Sequence, residues 1–67
     1  MNIILNNNSE SFEKSEMSIA EILKAKNFIF KMLVIKVNDR IIKKQEYDTT
    51  IVIEGDNVVI LHLVSGG

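Results

Sequence analysis

Residues 18–27 read SIAEILKAKN and carry both a helix start and a helix stop. Ser18 offers a side-chain oxygen as N-cap, and Glu21, three residues on, completes a capping box. Ile19, Ile22 and Leu23 fall on one helical face. Asn27 stands where a left-handed residue ends a helix. The span is under about three turns, too short to persist alone in water. It must lie on a sheet, so the flanking segments have to supply strands.

On the N-terminal side, MNIIL places Met1, Ile3 and Leu5 on one parity, as in a strand with one buried face. Asn6, Asn7, Asn8 and Ser9 favour a turn, and a second strand over Glu10 to Glu13 turns Phe12 inward, giving a hairpin. On the C-terminal side, FIFKMLVIKVN is rich in β-branched and aromatic residues. Met32 to Val37 carries charge only at Lys36, which predicts a strand buried on nearly both faces. Asn38-Asp39 signals a turn and Ile41-Ile42 a short return strand. KKQEYD is a polar crossing that Tyr47 anchors, Thr50 to Ile53 a short extended piece, and Gly55-Asp56 a tight turn. Asn57 to Val64 forms the final strand. The sum is an α+β layer: one main helix across one face of a mixed sheet of four to five strands.

Sixty-seven residues make one domain, with residues 1–63 as its body and residues 64–67 as a flexible tail. Apolar residues make up 46% of the chain and must supply the core unaided, because cysteine is absent. That absence also excludes thiolate metal sites and a cysteine nucleophile. A formal net charge of −1 gives no general attraction to nucleic acid or anionic lipid. Arg40, Lys43 and Lys44 form a basic cluster, but Glu46 and Asp48 follow, so it reads as a solvated loop. No apolar run approaches the length of a membrane span. No secretory signal is visible, and the expected location is cytoplasmic.

Catalytic constellations fail on inventory. A phosphate loop needs clustered glycines ahead of a helix; the one internal glycine, Gly55, precedes a strand. His62 is the only histidine and lacks the partners of a triad or a zinc site. Glu10, Glu13 and Glu16 read as a solvated face rather than an acid–base pair. No catalytic residue, bound cofactor or metal is therefore expected. The final strand stands apart because both parities are apolar, and one helix covers only one face of a small sheet. With Val58 and Ile60 buried, the other parity leaves an exposed apolar patch. Val59, Leu61, His62 and Leu63 become the candidate partner-binding face.

The sequence closes on Ser65, Gly66 and Gly67. Extended, these three residues reach roughly 10 Å. Without side chains, Gly66 and Gly67 pass through a channel too narrow for larger residues. The reactive group they deliver is the Gly67 carboxylate, ionised at neutral pH and a poor electrophile. It has to be activated, most simply as a mixed anhydride with a nucleotide phosphate, and a partner must provide that site. Two readings stand at this point: a carrier presenting one carboxylate to other active sites, or an end without a role.

The whole chain resembles the thiamine-pathway sulfur carriers, the ThiS family of ubiquitin-like β-grasp proteins. The resemblance rests on MNIILNN, IAEILK and VIKVNDRIIKKQEYDTTIVIEGDNVVILHLVSGG. It includes Val37-Asn38 after a valine-rich strand, Gly55-Asp56 before the last strand and the closing Gly66-Gly67. One departure is NFIFKML after the helix, where the family often has a glycine- or proline-containing loop. The resemblance implies that a ThiF-like adenylyltransferase uses ATP to convert the Gly67 carboxylate to an acyl-adenylate. It also implies that sulfur from a cysteine desulfurase makes a Gly67 thiocarboxylate, and that a ThiG-like thiazole synthase takes up that sulfur. By position, Gly67 bears the sulfur while Gly66 and Ser65 thread partner active sites. The small subunit of molybdopterin synthase (MoaD-like) shares fold, end and chemistry, but such chains are usually longer. A ubiquitin-like protein modifier and a plain interaction domain are the remaining alternatives.

Overall fold

The computed structural model describes residues 1–29 and 31–63. Strands β1 (Asn2–Leu5) and β2 (Asn8–Ser11) form the first hairpin, followed by β3 (Glu16–Ser18) and helix α1 (Ile19–Ala25). Strands β4 (Leu33–Val37) and β5 (Arg40–Ile42) come next, then a 3₁₀ turn at Lys44–Glu46, β6 (Ile51–Ile53) and β7 (Asn57–His62). Five strands make one sheet in the order β2-β1-β7-β4-β5, and β3 pairs with β6 in a separate two-stranded ribbon. β1 and β7 run parallel at the centre; the other pairs are antiparallel.

The hairpin turns follow from asparagine chemistry. Asn6 and Asn7 both have positive φ, 50° and 68°, and Leu5 pairs with Asn8 across them. Asn38 and Asp39 repeat the device at 49° and 70°, with Val37 opposite Arg40. Two left-handed residues in succession make the two-residue turn whose twist matches that of the strands. Pairing therefore resumes at Asn8, and β2 spans Asn8–Ser11 rather than Glu10 to Glu13. Phe12 still leans on the core from just beyond it.

Helix α1 has the ends expected of it. The Glu21 N–H donates to Ser18 Oγ at 3.1 Å, and the Ser18 N–H donates to Glu21 Oε1 at 2.9 Å. At the other end Asn27 has φ 57°, its N–H donates to the Lys24 carbonyl, and the Phe28 N–H donates to the Leu23 carbonyl. That pair of bonds is the left-handed stop of a Schellman motif. Glu21 also accepts from Lys14 Nζ at 2.6 Å. The Lys14 contact, then the Ser18 N–H, holds the Glu21 carboxyl below its usual range.

A folded value below the unfolded one means that the charge on Glu21 stabilises the native chain above about pH 4.3, the ordinary glutamate value. The contribution fades as pH falls through the lower folded value. Glu21→Gln keeps a capping side chain but loses the charge. Its stability deficit against wild type is expected to shrink between about pH 7 and about pH 3 in urea titrations.

The core is one cluster. Ile3, Leu5, Ile35, Val37, Val58 and Ile60 from the sheet meet Ile19 and Ile22 from the helix, with Met17 and Val52 closing the side. Val58 and Ile60 are buried as expected, and Leu23 and Leu33 pack partly against the cluster. Other details differ from the sequence expectation. β4 alternates: Ile35 and Val37 are buried, Val34 and Lys36 half-exposed, and Met32 lies outside the strand, 52% exposed. A single helix covers one face of the sheet, so only one parity can be buried. β3 has no forerunner in the sequence reading. Three residues are too few to show a period, and β6, which pairs with it, joins the ribbon rather than the main sheet.

Candidate functional site

The face of the sheet turned away from the helix is the candidate site. Register fixes who shares it. Val34 lies opposite Leu61 and Lys36 opposite Val59 across β4 and β7, while Lys36 lies opposite Ile41 across β4 and β5. On β1, Ile4 is opposite Asn57, which has the parity of Val59 and Leu61. The outer face thus collects Ile4, Val34, Val59, Leu61 and Ile41 around Lys36. Ile4 is 41% exposed, Leu61 52% and Ile41 62%, so this is a largely apolar face open to solvent.

This register sorts the expected partner-binding residues. Val59 and Leu61 lie on the open face. His62 pairs opposite Leu33 and so has the parity of Val58 and Ile60, the helix side, where it is exposed at the strand end. Leu63 follows β7, and its N–H donates to the Met32 carbonyl at 2.9 Å. Its side chain lines a groove shared with Leu23, Phe28 and Ile42. The four residues therefore do not form one surface. Ile4, Val34 and Ile41 belong to the face and were not singled out from the sequence. The signal was present as the parity opposite the buried residues, but strand order was needed to bring β1, β4 and β5 beside β7.

The turn carrying Gly55-Asp56 braces one end of β7. Gly55 has φ 84°, a value L side chains rarely adopt. Asp56 accepts from Asn38 Nδ2 and from the Ile53 N–H, both at 3.0 Å, and the Asn57 N–H donates to Asn38 Oδ1 at 2.9 Å. Asn6 grips the strand further along, accepting from the Ile60 N–H at 2.8 Å and donating to the Ile60 carbonyl at 3.1 Å. These polar side chains hold β7 in place and so serve the fold. Among the described residues, no group of three or more His, Cys, Asp and Glu side chains converges as a metal site would require. No described helix is long and apolar enough to cross a membrane. Ser65, Gly66 and Gly67, expected to carry the chemistry, lie outside the described residues, as does the expected tail from Val64 onward.

A five-stranded mixed sheet with a parallel central pair, wrapped over one helix and open on its far face, defines a ubiquitin-like β-grasp protein. Residues 3–67 match the ThiS family. The chain belongs to that family, the thiamine-pathway sulfur carriers it resembles in sequence. The crystal structure of a thiamine biosynthesis protein (ThiS) from Geobacter metallireducens superposes with a TM-score of 0.89 at 23% identity, covering the whole of both chains. The solution NMR structure of a thiamine biosynthesis protein from the same organism gives 0.81 at 24% identity, covering all of this chain and 88% of the other. At those identities the likeness establishes the fold. A comparison with curated proteins finds no match.

Proposed function

We propose that this chain carries sulfur to thiazole formation in the cytoplasm as a thiocarboxylate on Gly67. The observation that carries the reading is the arrangement of β7. The same strand that sets Val59 and Leu61 on the open apolar face leads on in sequence to Ser65, Gly66 and Gly67. A partner that grips the face is thereby placed to receive the end of the chain. The partners are a ThiF-like adenylyltransferase, a cysteine desulfurase as sulfur source and a ThiG-like thiazole synthase.

The chemistry balances without a catalytic group on this chain. A Gly67 carboxylate oxygen attacks the α-phosphorus of ATP bound by the adenylyltransferase, and pyrophosphate leaves. The terminal sulfur of a protein persulfide attacks the acyl carbon, and AMP leaves. A thiol then cleaves the acyl disulfide, releasing the thiocarboxylate and becoming a disulfide itself. Gly66 and Ser65 thread the active sites, where close backbone approach favours residues with little or no side chain.

Incubation with the adenylyltransferase, ATP and a persulfide donor, followed by fragmentation mass spectrometry, tests the proposal. Replacing oxygen by sulfur adds the same nominal mass as oxidising one of the three methionines, so the shift must be localised to Gly67 or trapped by alkylation. No change at Gly67 with a competent partner refutes it. The open face has its own test. Leu61→Asp places a negative charge on the open face and is expected to raise the KM for the carrier in adenylation by about tenfold or more. Because Leu61 is 52% exposed, the melting curve should stay close to wild type.

A further inference from the structure

A groove of about 720 Å³ opens on the helix side of the sheet, walled by Leu23, Phe28, Met32, Ile42, Tyr47 and Leu63. Among the described residues its charged lining is Lys31, Lys43 and Lys44, with no carboxylate. All three lysines are exposed. None belongs to either of the two ion pairs among the described residues, which join Lys14 to Glu21 and Lys26 to Glu10. A chain of formal net charge −1 thus gathers three positive charges around one apolar depression. Such a basin raises the local concentration of negatively charged partners and orients their approach.

The groove also has a particular place. Leu63 is one of its walls, and Gly67 is four residues further along the sequence. Four residues span at most about 14 Å, so an enzyme that holds Gly67 in its active site has its surface close to the groove. The open apolar face is on the other side of the sheet, so the groove is a separate surface.

We propose that the groove receives an acidic segment of the enzyme that takes up the tail, with one large apolar side chain seated between Leu23, Tyr47 and Leu63 and flanking carboxylates against Lys31, Lys43 and Lys44. The inference rests on the carrier function proposed above. The open face supplies apolar contact area; the groove supplies the charge-dependent part of recognition and sets which side of the sheet the enzyme wraps.

The test is ATP–pyrophosphate exchange by the adenylyltransferase, with the full chain as substrate at several salt concentrations. For wild type, KM should rise with salt, as expected of screened charges. The triple variant Lys31→Glu, Lys43→Glu, Lys44→Glu should raise KM by about tenfold or more at low salt, leave kcat within about twofold and abolish the salt dependence. The triple Arg variant should restore the wild-type values, which separates charge from packing. Wild type without exchange would refute the carrier function itself. Normal exchange by wild type with an unchanged KM in the Glu variant would refute the groove alone. Sedimentation that showed a wild-type dimer dissolved by the Glu substitutions would assign the groove to a second copy of the chain and overturn the proposal.

Discussion

A chain lengthened by one residue beyond Gly67 folds normally and takes up no sulfur: that is the first expected result. The added residue moves the carboxylate by about 3.3–3.6 Å along an extended backbone. Adenylation requires the reacting oxygen and phosphorus within about 3–3.5 Å, and a misplacement of about 1 Å costs about a hundredfold in rate. A displacement more than three times as large should lower loading by at least about a thousandfold. The fold should be spared because the core among the described residues is built from Ile3 to Ile60. Deletion of Gly67 gives the same loss from the opposite direction. Mass spectrometry of the loading reaction reads both variants, with circular dichroism as the check on folding. Wild-type loading by the lengthened chain would mean that the terminal carboxylate is not the acceptor.

Ile22→Ala is expected to have the largest effect on stability. Ile22 is fully buried at the centre of the helix–sheet contact, and its truncation removes buried carbon and leaves a void that a close-packed interior fills poorly. The cost is about 2–5 kcal/mol. A domain of this length holds only about 3–10 kcal/mol in total, so this single change consumes a large share of the margin. The chain has no disulfide to limit the loss. The helix is seven residues long and has little stability apart from this contact, so helix and sheet should unfold together. Urea titration followed by circular dichroism should show one transition at a lower midpoint with a similar slope. A cost below about 1 kcal/mol would show that the helix is not the keystone of the core.

Much of this architecture was legible because local rules and the fold agree. The capping box at Ser18 and Glu21 and the left-handed stop at Asn27 are backbone chemistry within a few residues, so sequence alone placed both ends of the helix. The turns at Asn38-Asp39 and Gly55 are local in the same sense. The sequence shows β6 as an extended piece but not β3 or their pairing, because the two strands are three residues each and far apart in the chain. Their pairing becomes favourable only once the core has placed Met17 and Val52 together.

The candidate site divides along the same line. Alternation in β7 already said that Val58 and Ile60 point one way and Val59 and Leu61 the other. It could not say that Ile4, Val34 and Ile41 complete the patch, or that His62 and Leu63 leave it. Those facts depend on hydrogen-bond register between strands distant in sequence, Ile4 opposite Asn57 and Val34 opposite Leu61 being two cases. Nor could it show that Lys31, Lys43 and Lys44 meet around one groove, since the loop after the helix and the segment after β5 converge only in three dimensions.

What the sequence by itself determined is everything set by neighbours along the backbone: the helix and its caps, the asparagine turns, the parity of the last strand and a closing pair of glycines without side chains. Tertiary structure alone decided which strands lie side by side, and hence which exposed residues make a common surface. The physical reason is range. Capping and turn energies act over about four residues, whereas a surface is assembled by burial of the opposite face, which is settled only when distant segments pack together.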